Sequence, residues 1–152
     1  MIAVTSGIFR GPRPLSLADI PGVKTVLSLE SGWLEVFHDE MYAEDIMEGN
    51  AGVNIFHIPI NAIGFPPRRA TLEAACKFLD NENLYPIYVH CKHGVDRTGL
   101  VVAHYRITRQ GWSYDDAIAE LKARGFHMWS YWWWLPYYKY CVLKMPVRFW
   151  WE

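Results

Sequence analysis

The chain has 152 residues, 51% of them hydrophobic, and a formal net charge of −1. That length suits a single domain that buries its core without disulfides or metals, and the near-balanced charge excludes a general attraction to nucleic acid or acidic membranes. Cys76, Cys91 and Cys141 show neither metal-ligand spacing nor an even framework, which fits a reducing, cytoplasmic compartment with no metal or cofactor expected.

Taken in chain order, residues 1–6 lack the basic and apolar regions of a signal peptide, while saying nothing of a leader already removed. Residues 8–10 read as a short strand, 15–20 as a short helix closed by Pro21-Gly22, and 25–29 as a buried strand. Residues 33–47 read as a helix with Trp33, Val36, Phe37 and Met41 near one face, broken by Gly49-Asn50-Ala51-Gly52. A strand at 54–60 precedes a helix at 71–83, with Thr71 as its cap and Leu72, Ala75, Cys76 and Leu79 on one stripe. A strand at 87–90 leads through a short loop to a helix from Arg97 to near Gly111. Ser113 then caps a helix over 114–124 that Gly125 stops. Strand–helix alternation predicts an α/β fold, a mostly parallel central sheet flanked by helices, with ligands at the carboxyl ends of its strands. Residues 128–140, with 149–151 after them, are crowded with Trp, Tyr and Phe. A helix from about Pro136 to Lys144 is expected to close the core with some of these rings. The rest form a candidate patch for a partner or self-association.

The loop after the strand at 87–90 carries the chemistry. His90-Cys91-Lys92-His93-Gly94-Val95-Asp96-Arg97-Thr98-Gly99 places one cysteine six positions before one arginine. Strand, tight loop and helix N-terminus point backbone N–H groups at one anion, so residues 91–97 form a candidate phosphate cradle. Beside a helix terminus and nearby cations, the Cys91 sulfur is expected to act as a thiolate nucleophile. Arg97 offers a planar fork matched to two phosphate oxygens. Gly94 permits the strained backbone the loop needs. Thr98 is placed to donate to the sulfur, and His90 to order the loop through hydrogen bonds. Singly, each of these residues has a bland role in a core or on a surface; together they describe a site for phosphate-ester cleavage.

These residues resemble the signature loop of the cysteine-dependent protein tyrosine phosphatase superfamily, and most of all the small dual-specificity phosphatases, bacterial members included. The segments at 8–14, 24–29 and 54–60 are similar to that family's opening Arg-x-x-x-Pro segment, first central strand and the strand into its acid loop, in the same order. The resemblance implies the dual-specificity-phosphatase fold. It also implies hydrolysis of phosphotyrosine, with phosphoserine or phosphothreonine, in a phosphorylated protein or peptide partner. It further implies an aspartate on a loop roughly thirty residues before the cysteine, as general acid. Here that interval holds no Asp or Glu between Asn50 and Glu73. Asp96 inside the loop is one substitute, at a position where myotubularin-like and some bacterial inositide phosphatases carry an Asp considered as an acid; alternatively it pairs with Arg97 or another basic group and only shapes the loop. A carboxylate from 39–48, Asn61 or His57 are others. An RNA 5′-triphosphate or phosphoinositide substrate, or a weakly active phosphate-binding adaptor, remain as alternative readings.

Overall fold

The computed structural model describes residues 1–31, 52–61, 64–128 and 131–146. The expected helix at 33–47, the carboxylates at 39–48 and the aromatics at 149–151 lie outside the described residues.

Among the described residues, five strands form one sheet in the order β1-β2-β5-β3-β4. They are β1 (Ile2–Ala3), β2 (Ile8–Gly11), β3 (Thr25–Ser28), β4 (Asn54–His57) and β5 (Ile87–His90). The last four run parallel, and β1 alone pairs antiparallel, on β2. Buried β-strands show the period-two division of their side chains between two faces. Ile8, Leu27, Ile87 and Val89 enter the larger core, whereas Val26 and Tyr88 join Ile20 and Val23 on the opposite face.

The larger core is roofed by α1 (Arg69–Leu79), α2 (Arg97–Gln110) and α3 (Tyr114–Ala123). On α1 the predicted stripe of Leu72, Ala75, Cys76 and Leu79 is completely buried. The helix nevertheless starts before Thr71, which is not its cap: Pro66-Pro67 hold the chain extended, and the Arg68 carbonyl accepts from both Thr71 and Leu72 N–H. α2 ends on Gly111 in the left-handed conformation, and the Ser113 hydroxyl accepts from Asp116 N–H to cap α3, both as expected. Helix α4 (Trp134–Tyr137) runs into one π-helical turn at Tyr138–Val142. Trp134 and Tyr138 are completely buried there, while Trp132 is 69% exposed, so the aromatic segment divides between core and surface as its pattern suggests. No helix among the described residues is long and apolar enough to cross a membrane.

Candidate active site

The register of the sheet fixes where the site lies. His90 ends β5 opposite Gly11 of β2 and Ser28 of β3, so three parallel strands end side by side. Beyond them the ladder continues: Leu29 N–H donates to the His90 carbonyl at 2.8 Å, and Ile60 N–H to the Leu29 carbonyl at 2.9 Å. Residues 91–96 leave this edge and enter α2 at Arg97.

The loop is held from outside. Arg13 N–H donates to the Lys92 carbonyl at 3.1 Å, and Arg10 Nη2 to the Gly94 carbonyl at 2.9 Å. Burial lowers the pKa of the Arg10 guanidinium, against the opposing field of Glu120. Gly94 has φ +71°, and a Cβ there would stand 2.2 Å from the Gly11 carbonyl carbon, so only glycine fits. Carbonyls bound outward are what a loop needs if its N–H groups are to converge on an anion. The N-terminus of α2 opens directly from the loop, where Gly99 N–H donates to the Val95 carbonyl at 3.1 Å and Leu100 N–H to that of Asp96 at 3.0 Å, and a helix N-terminus favours an anion.

Cys91 and Arg97 are both turned inward, 3% and 4% exposed. Arg97 Nη1 donates to the Ile60 carbonyl at 3.2 Å, which ties the guanidinium to the segment after β4. Lys92 and His93 lie exposed on the outer loop, and Val95 is half-buried. His90 is completely buried; burial pushes its pKa down to about 4 even though its Nδ1 meets the Cys91 carbonyl at 3.2 Å. A neutral ring donating to that carbonyl ties the end of β5 to the first residue of the loop. Thr98 is buried too, but its hydroxyl makes no hydrogen bond among the described residues, so the contact expected with the sulfur is absent.

Asp96 is committed elsewhere. Its Oδ1 accepts from the His127 backbone N–H at 2.8 Å, and its Oδ2 meets His127 Nδ1 at 2.7 Å. Of its two expected roles the geometry displays the pairing, with His127 rather than Arg97 as the basic partner. His127 was not visible as a site residue in the sequence, because 31 positions separate it from Asp96. Glu30 was missed as well. It is completely buried at the end of β3 and paired with Arg13, so it links the β3 edge to the segment that holds the loop. A carboxylate at the carboxyl end of a buried strand was the available signal, since a buried charge requires a partner.

Between β4 and α1, Asn61 accepts from the Ser31 hydroxyl at 3.1 Å and His57 lies exposed. Beside the Arg97 acceptor opens a cleft of about 700 Å³, lined by Ile60, Asn61, Phe65, Arg68, Thr71 and Tyr137. Trp134 Nε1 donates to the Gly64 carbonyl at 3.2 Å, pinning the cleft wall to the C-terminal helix.

Comparisons with known proteins agree with this geometry. Residues 19–130 match the family model described as "DSP-PTPase phosphatase fused to NAD+ Kinase". A 41-residue stretch is 51% identical to the dual specificity protein phosphatase TpbA of Pseudomonas aeruginosa, covering 27% of this chain and 19% of that protein. A 79-residue stretch is 38% identical to the mouse RNA/RNP complex-1-interacting phosphatase, covering 49% of this chain and 24% of that protein. The matched regions are thus a quarter or less of these relatives' lengths. The crystal structure of TpbA in complex with pTyr, with serine replacing a cysteine, superposes at TM-score 0.61 and 28% identity, over 80% of this chain and 72% of the other.

Proposed function

The chain belongs to the DSP-PTPase phosphatase family defined by the matching model, and on that premise we propose that it hydrolyses phosphotyrosine in protein or peptide substrates through a phosphocysteine intermediate. Phosphoserine and phosphothreonine are further substrates of the same reaction. The observation that carries the reading is the loop between β5 and α2, with Cys91 and Arg97 both turned inward at its two ends.

In this mechanism the Cys91 thiolate attacks phosphorus, an S–P bond forms, and the bond to the leaving oxygen breaks. Water then attacks the phosphocysteine, releasing inorganic phosphate and restoring the sulfur. Arg97 and the amides of residues 92–97 bind the equatorial oxygens and carry the charge stabilisation, the largest contribution in such sites. Asp96 acts through the group it holds rather than as a free carboxylate. The cleft beside Ile60, with Phe65 and Tyr137 in its wall, suits an aromatic leaving group. A phosphoinositide head group would want further cations, and Val95 supplies none.

The test is a side-by-side assay of phosphotyrosine, phosphoserine and phosphothreonine peptides, phosphoinositides and 5′-triphosphate RNA. Phosphotyrosine peptide is expected to be the preferred substrate, and preference for the lipid or the RNA would overturn the assignment. Cys91→Ser is expected to abolish turnover while inorganic phosphate still binds. Activity retained by that variant would remove the covalent intermediate.

A further inference from the structure

The interval where the family places its loop aspartate holds no Asp or Glu, yet one group beside the phosphate loop is built to move a proton. We infer that His127 is the general acid–base residue of this site, held for that task by Asp96. This rests on the phosphatase reading above and deepens it.

His127 follows α3 in the turn that closes over the loop. A Cβ on Gly125, two residues earlier, would stand 3.8 Å from Val95 Cγ1, so the turn packs directly on the phosphate loop. The His127 ring lies 6.4 Å, centroid to centroid, from the ring of His93 within that loop. Asp96 grips the residue twice, by its backbone N–H at 2.8 Å and by Nδ1 at 2.7 Å. A carboxylate on one ring nitrogen fixes the tautomer and the ring's orientation, the arrangement by which His–Asp pairs serve as acid and base. The other nitrogen, Nε2, makes no hydrogen bond among the described residues, and the side chain is 54% exposed. A ring with one nitrogen anchored to the loop and the other open to solvent can deliver a proton to a bound ester.

The steps balance. As the Cys91 sulfur forms its bond to phosphorus, the proton on Nε2 passes to the departing oxygen, which leaves as the free alcohol or phenol. The neutral Nε2 then takes a proton from the attacking water as the P–O bond forms and the S–P bond breaks. The ring is thereby reprotonated for the next cycle.

His127→Asn keeps a donor at the position of Nδ1 and removes the proton-transferring atom. The test measures kcat/KM, which reports the first chemical step, for aryl phosphates from p-nitrophenyl to phenyl. His127→Asn is expected to lose about 10²-fold or more with phenyl phosphate and much less with p-nitrophenyl phosphate, with inhibition by inorganic phosphate unchanged. Asp96→Asn is expected to show the same steepening, weaker. An equal loss across the series, no loss, or lost phosphate inhibition would each overturn the inference. So would steepening in Asp96→Asn alone, which would make Asp96 itself the acid. If the wild-type protein shows no turnover that depends on Cys91, the phosphatase reading falls first and this inference with it.

Discussion

Helix α2 connects two histidine–carboxylate pairs that use the same chemistry for opposite ends. Near its middle, His104 Nε2 meets Glu73 at 2.6 Å while Nδ1 meets the Tyr138 hydroxyl at 2.9 Å. Both ring nitrogens are spent, and the side chain is 2% exposed. At its N-terminus, Asp96 holds His127 by one nitrogen only, and the ring is half exposed. Burial lowers the His104 pKa despite the carboxylate, so the ring is neutral, donating to Glu73 and accepting from Tyr138. Burial of Glu73 opposes its ionisation, but hydrogen bonds from His104 and Arg109 outweigh that and lower its pKa overall. A pair with every donor matched stabilises a helix interface; a pair with one nitrogen left over, beside the loop at 91–96, is open to do chemistry. The distinction lies in the accounting of hydrogen bonds, not in residue type.

The sharpest way to break this contrast is at the phosphate loop itself. Arg97→Lys keeps the charge but removes the planar fork and the bond to Ile60. Loss of one such donor typically costs ~10²–10³ in turnover. We expect a fall in kcat of that size with little change in thermal stability, read from phosphopeptide kinetics and differential scanning calorimetry. A variant that melts at a lower temperature but keeps its kcat would mean that Arg97 belongs with the structural polar groups.

A second effect reads the buried histidines by pH. His90 titrates near 4 in the folded chain, below its ordinary value of 6.5, and the His104 pKa is lowered as well. A group whose folded pKa is depressed binds more protons when unfolded, so stability falls as pH drops from about 6.5 toward 4. Glu73, also lowered, adds its loss only below its unfolded value of 4.5. The melting temperature is therefore expected to decline through that window. His90→Asn should flatten the decline. A decline unaffected by His90→Asn would place the acid sensitivity elsewhere.

Much of this architecture was legible where one residue fixes a local geometry. Arg97 after a tight loop, Gly111 at a left-handed C-terminus and the Ser113 hydroxyl marked the limits of α2 and α3. β5 was bounded by its own apolar run. Strand β1 was not legible, because two exposed residues carry no period and form only by pairing with β2. The Thr71 cap failed because two prolines upstream decided where α1 could begin. In the site, the cysteine, glycine and arginine declared themselves by spacing. His127 and Glu30 did not, since each meets its partner across a distance that only the folded sheet and helices close. His104 and Glu73 lie as far apart in sequence as His127 and Asp96, so separation alone says nothing of which pair is functional.

The smallest expected effect isolates the structural pair. Tyr138→Phe conserves the ring that stacks on Tyr114 and removes only the hydroxyl that donates to His104 Nδ1. A buried acceptor left without its donor costs ~1–3 kcal/mol, measured as a lower urea midpoint with an unchanged slope. Turnover and the dependence on leaving group should both stay as in the wild type, because nothing in this network reaches the phosphate loop except the helix itself. If Tyr138→Phe steepened that dependence, the middle of α2 would be energetically coupled to its N-terminus. The two histidine pairs would then be one system rather than two.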